Sequence, residues 1–273
     1  MPNNNKKNIL IDSHVHLYEN FDPDSFIESI TRNFKKYCKL NENEFDKSVK
    51  IIFLTEAKKN DFFRRIADNS LPLKIMDIHS EKTHEEGSIL LMQNGHDLFY
   101  IISGRQIITK ENIEILSVGD GTMIKDGLPA AEVLEQLKDR EELAILAWGV
   151  GKWLFGRGKL VKNIINKSDY PYLLIGDNSA RPSVWLKPLI YRNGEKLGIP
   201  IINGSDPLPL DGEDEKAGSY FFMVKGSFDP KKPLGSIKKI LKSDVKKVMN
   251  MGKRDSLFNF FRRQAKIMLK KYT

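Results

Sequence analysis

Asp12, His14 and His16 form an Asp-x-His-x-His pattern directly behind an apolar run, Ile9 to Ile11. In an extended strand, residues i and i+2 point to one side, so this spacing presents two imidazoles together at a strand's end. Neutral imidazole is a good ligand for zinc, iron, nickel, copper and manganese. Two His with one or two carboxylates can hold a single divalent ion and leave positions open for water. Such an ion lowers the pKa of bound water and polarises a phosphoryl or carbonyl oxygen. The plain alternative is that both His only cap a strand end, so the rest of the chain has to supply the remaining chemistry.

The elements that would position this pair are strand-like apolar runs with helical patterns between them. Runs at 9–11, 50–55, 143–148, 172–175 and 199–202 read as strands, with 220–224 as a further, edge strand. Helical spacing marks 23–40, 61–67, 129–142, 158–166 and 183–193. Between them, 73–78, 88–92, 98–102, 105–109 and 113–117 form a strand-rich block. Asn94-Gly95 and Ser103-Gly104 mark its expected hairpin turns. Alternating β and α units predict an α/β fold with a parallel sheet, and a barrel variant places its chemistry at the C-terminal strand ends. The polar clusters at 14–16, 55–56, 149–152, 176–178 and 204–206 all fall at such ends.

Composition sets the bounds. A chain of 273 residues with 40% apolar and 29% charged residues suits one large domain with a sizeable core. A single cysteine, Cys38, excludes an internal disulfide and a Cys-rich zinc knuckle, and fits a cytoplasmic protein. The polar start, Met1 to Lys7, has no signal-peptide pattern, and no run is apolar enough to span a bilayer. The net charge of +8 is uneven. Residues 231–273 hold fourteen Lys or Arg against two Asp, leaving the remainder at about −4. That asymmetry suits either an acidic partner or a solvated helix face.

With its ligand pattern and strand order, residues 8–226 resemble the PHP family, the polymerase and histidinol phosphatase family of metal-dependent phosphoesterases. The opening Asp-x-His-x-His is shared with the wider amidohydrolase-like barrels. Thr55-Glu56-Ala57 takes the place of the family's Thr-Asp-His, Gly104-Arg105-Gln106 that of a glutamate strand, and Gly204-Ser205-Asp206-Pro207-Leu208 that of its closing Gly-Ser-Asp-x-His. The resemblance implies a distorted (β/α)7 TIM-like barrel. Here that barrel would carry a hairpin insertion and a basic C-terminal helical extension, with residues 73–118 either extending the barrel or forming a lid. Residues 1–230 would form the barrel, and 231–273 the extension packed on it or tethered to it.

The departures from the family shape the expected site. Ala57, Trp148 and Leu208 stand where the family has metal-binding His, and Gln106 where it has Glu. All five His lie in the first hundred residues, so later strands donate no imidazole. The resemblance leaves His14, His16 and Asp206, with Glu56 as a fourth ligand, for one zinc, manganese or iron ion per chain. Asp206 would also be the catalytic proton acceptor. Trp148 would fill the space of a second metal.

Lys152, Arg157, Asn178 and Arg181 are the candidate substrate contacts. The stretch 148–158 is dense in Gly, aromatics and cations without being a P-loop, and Asn178 or Ser179 also suits a helix N-cap. His79, His84 and His96 read as surface residues, although the hairpins that carry His96 would also serve to cover a barrel mouth. A final helix over 256–271 sets Leu257, Phe260, Phe261, Ala265, Met268 and Leu269 on one face, with Arg262, Arg263, Lys266 and Lys270 mostly on the other. It would pack on the barrel or bind an acidic partner, an anionic lipid surface or nucleic acid. With no nucleic-acid module in the chain, that last role would rest on charge alone.

The expectation is a metal-dependent hydrolase with a mononuclear site, its substrate a small phosphorylated or otherwise anionic molecule, with phosphoesters ahead of amides. The competing expectation is a barrel without catalysis that works as a binding or regulatory protein.

Overall fold

Nearly every strand alternates between two apolar environments, and that alternation dictates the architecture. The computed structural model describes residues 6–57, 60–149, 151–153, 156–243 and 248–272, with side chains as far as Leu269. Its elements begin β1 (Lys7–Val15), α1 (Pro23–Tyr37), α2 (Glu42–Asp46), β2 (Val49–Glu56), α3 (Phe62–Ala67), β3 (Ile78–Lys82), β4 (Ser88–Gln93), β5 (His96–Ile108) and β6 (Glu114–Val118). They continue α4 (Ala130–Asp139), β7 (Leu143–Ala147), α5 (Gly156–Lys167), β8 (Leu173–Asn178), α6 (Leu189–Lys196) and β9 (Ile201–Gly204). A 3-10 turn (Asp214–Lys216), β10 (Tyr220–Gly226), α7 (Pro233–Ser243), β11 (Met249–Gly252) and α8 (Leu257–Tyr272) complete the order.

The main sheet runs β11-β10-β1-β2-β5-β6-β7-β8-β9, with β4 also on β5 and β3 on β4. Ile9, Ile11, Ile51, Phe53, Ile102, Leu116, Ile145, Leu174, Ile202 and Phe222 form an inner cluster, closed off by Leu234, Ile237 and Ile240 of α7. The alternate residues Leu10, Ile52 and Leu54 face outward under α1 and α3. Ala144, Leu146 and Ile175 face outward under α4, α5 and α6. One side chain in, one out, along a curved sheet, describes a nearly closed barrel-like wall. β9 comes against β1, β10 and β11 without a regular ladder to any of them.

Several expectations change. The sheet is mixed: β1/β2, β2/β5, β7/β8 and β8/β9 are parallel, whereas β5/β6, β6/β7, β1/β10 and β10/β11 are antiparallel. Nine strands line the main path, so the count and order depart from a (β/α)7 barrel. Ser103-Gly104 is no turn, because β5 runs straight through it. Gly104 pairs with Thr55 on one side and Val118 on the other. A Cβ there would stand 2.7 Å from the Ser117 carbonyl, so the glycine serves close backbone approach. Asn94-Gly95 is a turn as expected, with both residues at positive φ. Residues 73–77 are not a strand, and the strand begins at Ile78. The helix expected over 183–193 starts only at Leu189, after Pro188. β10 is no edge strand, because β11 of the basic C-terminal segment pairs along it.

α1 shows why local sequence suffices for some elements. Asp22 accepts from the Asp24 amide as N-cap, Pro23 opens the helix, and Phe26, Ile27, Ile30 and Phe34 form its buried face.

Candidate metal centre

A one-residue bulge decides where the His pair points. Asp12 pairs with Ile52 but Val15 with Leu54, so β1 spends three residues against two of β2. Before the bulge, Ile9 and Ile11 face inward and Leu10 outward; after it, Val15 faces outward. Strict alternation would have put His14 and His16 on the outer face with Leu10. The phase shift turns both toward the barrel mouth.

There they meet Asp206. The two His Nε2 atoms stand 2.9 Å apart. Asp206 Oδ1 lies 3.5 Å from His14 Nε2 and 3.6 Å from His16 Nε2. Ligand atoms about 2.1 Å from a common ion and about 90–115° apart stand roughly 3.0–3.5 Å from each other. The three atoms therefore fit one divalent ion, and among the described residues they form the only such His, Cys, Asp or Glu group. Burial, and next to it His14, lower the His16 pKa to about 4, against the opposing pull of Asp206, so the ring is neutral near pH 7 as a ligand must be. Burial acts to raise the Asp206 pKa. His14, His16, Arg263 and Lys152 outweigh it and hold the carboxyl below its ordinary range.

The scaffold around these three atoms comes from both ends of the chain. Asp206 sits at φ 47°, and its amide donates to the His14 carbonyl at 2.8 Å. Asp12 does not point at the ion site. It accepts from the amides of Ser205 (2.8 Å), Gly218 (2.8 Å) and His14 (3.3 Å), stapling β1 to the segment that carries Asp206. Burial pushes its pKa up to about 7 against the pull of those donors. Gly204 permits the approach, since a Cβ there would come within 2.4 Å of His14 Cβ. Asn178 donates to Asp206 Oδ2 (2.8 Å) and to the Trp148 carbonyl (2.7 Å), which orients the carboxylate.

The other expected site residues take different places. Strand alternation turns Glu56 outward with Ile52 and Leu54. There it faces the Phe63 amide (3.3 Å) and Arg105 (3.4 Å), and burial raises its pKa to about 7. It is not part of the three-residue group. Lys152 pairs with Glu114, whose Oε1 also accepts from Gln106 at 3.3 Å. Arg157 donates to the Gly151 carbonyl at 2.8 Å. Arg181 is buried and spent on Asp177 at 2.6 and 2.7 Å, with Tyr191 and Tyr220 on the same carboxylate. Trp148 faces the outer cluster, 6.2 Å from the ring of Trp185, and is not part of the inner one. His79, His84 and His96 are exposed. His96 opens β5, at the opposite end from Arg105, so its hairpin does not cover the mouth.

Arg263 is the neighbour of this group that sequence reasoning misplaced. Expected on the polar face of the last helix, it is buried. It bonds Asp255 (2.7 Å), Glu213 (2.7 Å) and the Asp206 carbonyl (3.1 Å). The only signal for it was a helical phase, and Phe260 rather than Phe261 turned out to set that phase. Lys270, also assigned to the polar face, lies outside the described side chains, as do residues 150, 154 and 155 of the glycine-rich stretch.

No family model matches the chain, and neither does any curated protein. Solved structures do show a likeness of fold. PsfC from Pseudomonas syringae PB-5123 superposes with a TM-score of 0.52 at 13% identity, over 98% of this chain and 100% of its own. The lesion-specific endonuclease PfuEndoQ from Pyrococcus furiosus gives 0.52 at 12% identity over 86% of this chain, which spans 56% of the endonuclease. At these identities the likeness is one of fold.

Proposed function

We propose that the protein is a metal-dependent hydrolase that acts on phosphoesters through one divalent ion, zinc, manganese or iron. The observation that carries this reading is the convergence of His14, His16 and Asp206 at ligand spacing, from positions almost two hundred residues apart. Fold likeness to a lesion-specific endonuclease supports hydrolysis as the reaction class. The bound ion would supply Lewis acidity and an acidified water.

The protein's own groups divide the remaining work. His14 and His16 would hold the ion, and Asp206 would balance its charge. The depressed Asp206 pKa suits a ligand first and a proton acceptor second. Asn178 fixes Asp206 through its amide nitrogen, while its buried Oδ1 has no partner among the described residues. A cavity of about 300 Å³ is lined by Arg105, Gln106, Lys125 and Glu56, and Gln106 also interacts with His16. The cavity's cations are the exposed Lys125 and Arg105, which itself faces Glu56; of the cations that sequence assigned to anion holding, Lys152 and Arg181 are likewise paired with carboxylates.

The test is metal content by elemental mass spectrometry together with bis(p-nitrophenyl) phosphate hydrolysis. Wild type is expected to hold about one equivalent per chain. The His14→Ala/His16→Ala variant should lose the ion and more than about 100-fold in rate. A wild type that stays metal-free in excess zinc, manganese and iron rejects the proposal.

The second reading, a binding or regulatory barrel, is favoured by one observation. Ala57, Gln106 and Leu208 replace family ligands, and the described residues offer no second metal group. On that reading the His pair can be removed without loss of partner binding.

A further inference from the structure

α8 has two unlike faces. Phe260 and Arg263 are turned inward and lock the helix to Trp185, Asp255 and Glu213. Leu257, Phe258, Phe261 and Met268 are turned to solvent, with Phe258 75% and Phe261 64% exposed. At 100° per residue these four share an arc of about 100°. Arg262 and Lys266, both exposed, border that arc on one side. From Ser256 to Thr273 the chain holds no Asp or Glu. The neighbouring loop extends the apolar surface. Arg254 binds the Ser183 carbonyl at 2.9 Å, Trp185 packs on Phe260, and Leu186 and Leu189 stand 88% and 77% exposed.

We propose that α8 and the 184–189 loop form a docking surface for an anionic phospholipid bilayer. A solvent-facing apolar stripe with a cationic border is the layout of a helix that lies in a membrane interface, its apolar side chains in the acyl boundary and its cations on the headgroups. Charge decides among occupants. A second copy would bring two segments of about +12 together, which opposes self-pairing. A nucleic acid would engage the cations and leave Leu186, Leu189, Leu257 and Met268 in water. A bilayer of negative charge satisfies both halves of the surface. Arg263 adds pre-ordering, because the helix is already fixed to the barrel. The inference does not depend on the metal centre.

The experiment is flotation of the full chain with vesicles of phosphatidylcholine alone or mixed with phosphatidylserine. Wild type is expected to float with the mixed vesicles at least about tenfold better than with neutral ones, and to lose binding in high salt. Phe258→Ser/Phe261→Ser and Arg262→Glu/Lys266→Glu should each lower partitioning about tenfold or more while melting as wild type does. Equal partitioning into both vesicle types, or variants that float like wild type, overturns the proposal. So does a wild type that stays unbound, forms dimers abolished by Phe258→Ser/Phe261→Ser, or prefers single-stranded DNA to the mixed vesicles.

Discussion

The seam where β9 meets β1 and the wall formed by β5, β6 and β7 are built from similar apolar strands by different means. The wall is a continuous antiparallel ladder, from Gly104↔Val118 through Glu114↔Ala147, and its strands carry apolar layers on both faces. The seam has no such ladder. Side chains replace it: Ser13 Oγ donates to the Asn203 carbonyl, Asn203 to the Met251 carbonyl, and Asp12 takes the amides of Ser205 and Gly218. A ladder satisfies backbone groups without side chains, so it can be apolar throughout. An irregular junction has to bury polar side chains to do the same job, and here the group of His14, His16 and Asp206 sits among them. Each region also holds a buried carboxylate, and they differ in the same way. Asp12 meets three amide donors, whereas neither oxygen of Glu142, at the foot of β7, meets a donor among the described residues.

This contrast is open to direct attack. Arg263→Met should be the most damaging change at the seam. It strips Glu213 and Asp255 of a buried partner and frees the Asp206 carbonyl, at a cost of about 3–5 kcal/mol in chemical denaturation. Arg262→Met, one residue away and exposed, should stay within about 0.5 kcal/mol. If the two behave alike, the C-terminal helix is not part of the seam. Asp12→Ala comes next, at about 2–3 kcal/mol, because the Ser205, Gly218 and His14 amides lose their acceptor. Metal binding should weaken with it, since Asp206 follows Ser205. A variant that keeps full stability would show that water can replace the staple.

Glu142→Gln should have a smaller effect than Asp12→Ala, and of the opposite sign. Burial, then the neighbouring Asp120, push the Glu142 pKa from 4.5 up to about 7. Below pH 4.5 the carboxyl is protonated folded and unfolded, and nothing is lost. Between pH 4.5 and 7 the unfolded chain releases its proton first, so stability falls as pH rises. The amide removes that penalty. Glu142→Gln should melt like wild type at pH 4 and be roughly 1–2 kcal/mol more stable at pH 8. Equal stability at pH 8 would mean that Glu142 is solvated or paired in solution, and the carboxylate contrast would fall.

Strand runs and the Asn94-Gly95 turn were legible because they are local: neighbouring residues fix them through side-chain period and backbone preference, whereas the N-cap read at Asn178 or Ser179 has no helix behind it, the next one starting at Leu189. The same locality made the His pair and the Gly204-Ser205-Asp206 strand end visible as candidates. It failed wherever a neighbouring strand decides the outcome. Ser103-Gly104 has turn composition, yet Thr55 and Val118 flank it and hold it extended. Arg263 has a surface residue's chemistry, yet Glu213 and Asp255 draw it inside.

The sequence by itself determined an α/β chain with a basic C-terminal segment and two imidazoles two residues apart at the end of an apolar strand, because residue type and spacing are intrinsic to the chain. Tertiary structure alone decided which way those imidazoles face. Without the bulge between Asp12 and Val15 they would point outward with Leu10, and with it they meet Asp206. A bulge is set by the mismatch between two paired strands, and the junction between β1 and β9 joins residues about 190 apart. Neither can be read from a window of neighbours, and both are needed to bring the three ligand atoms together.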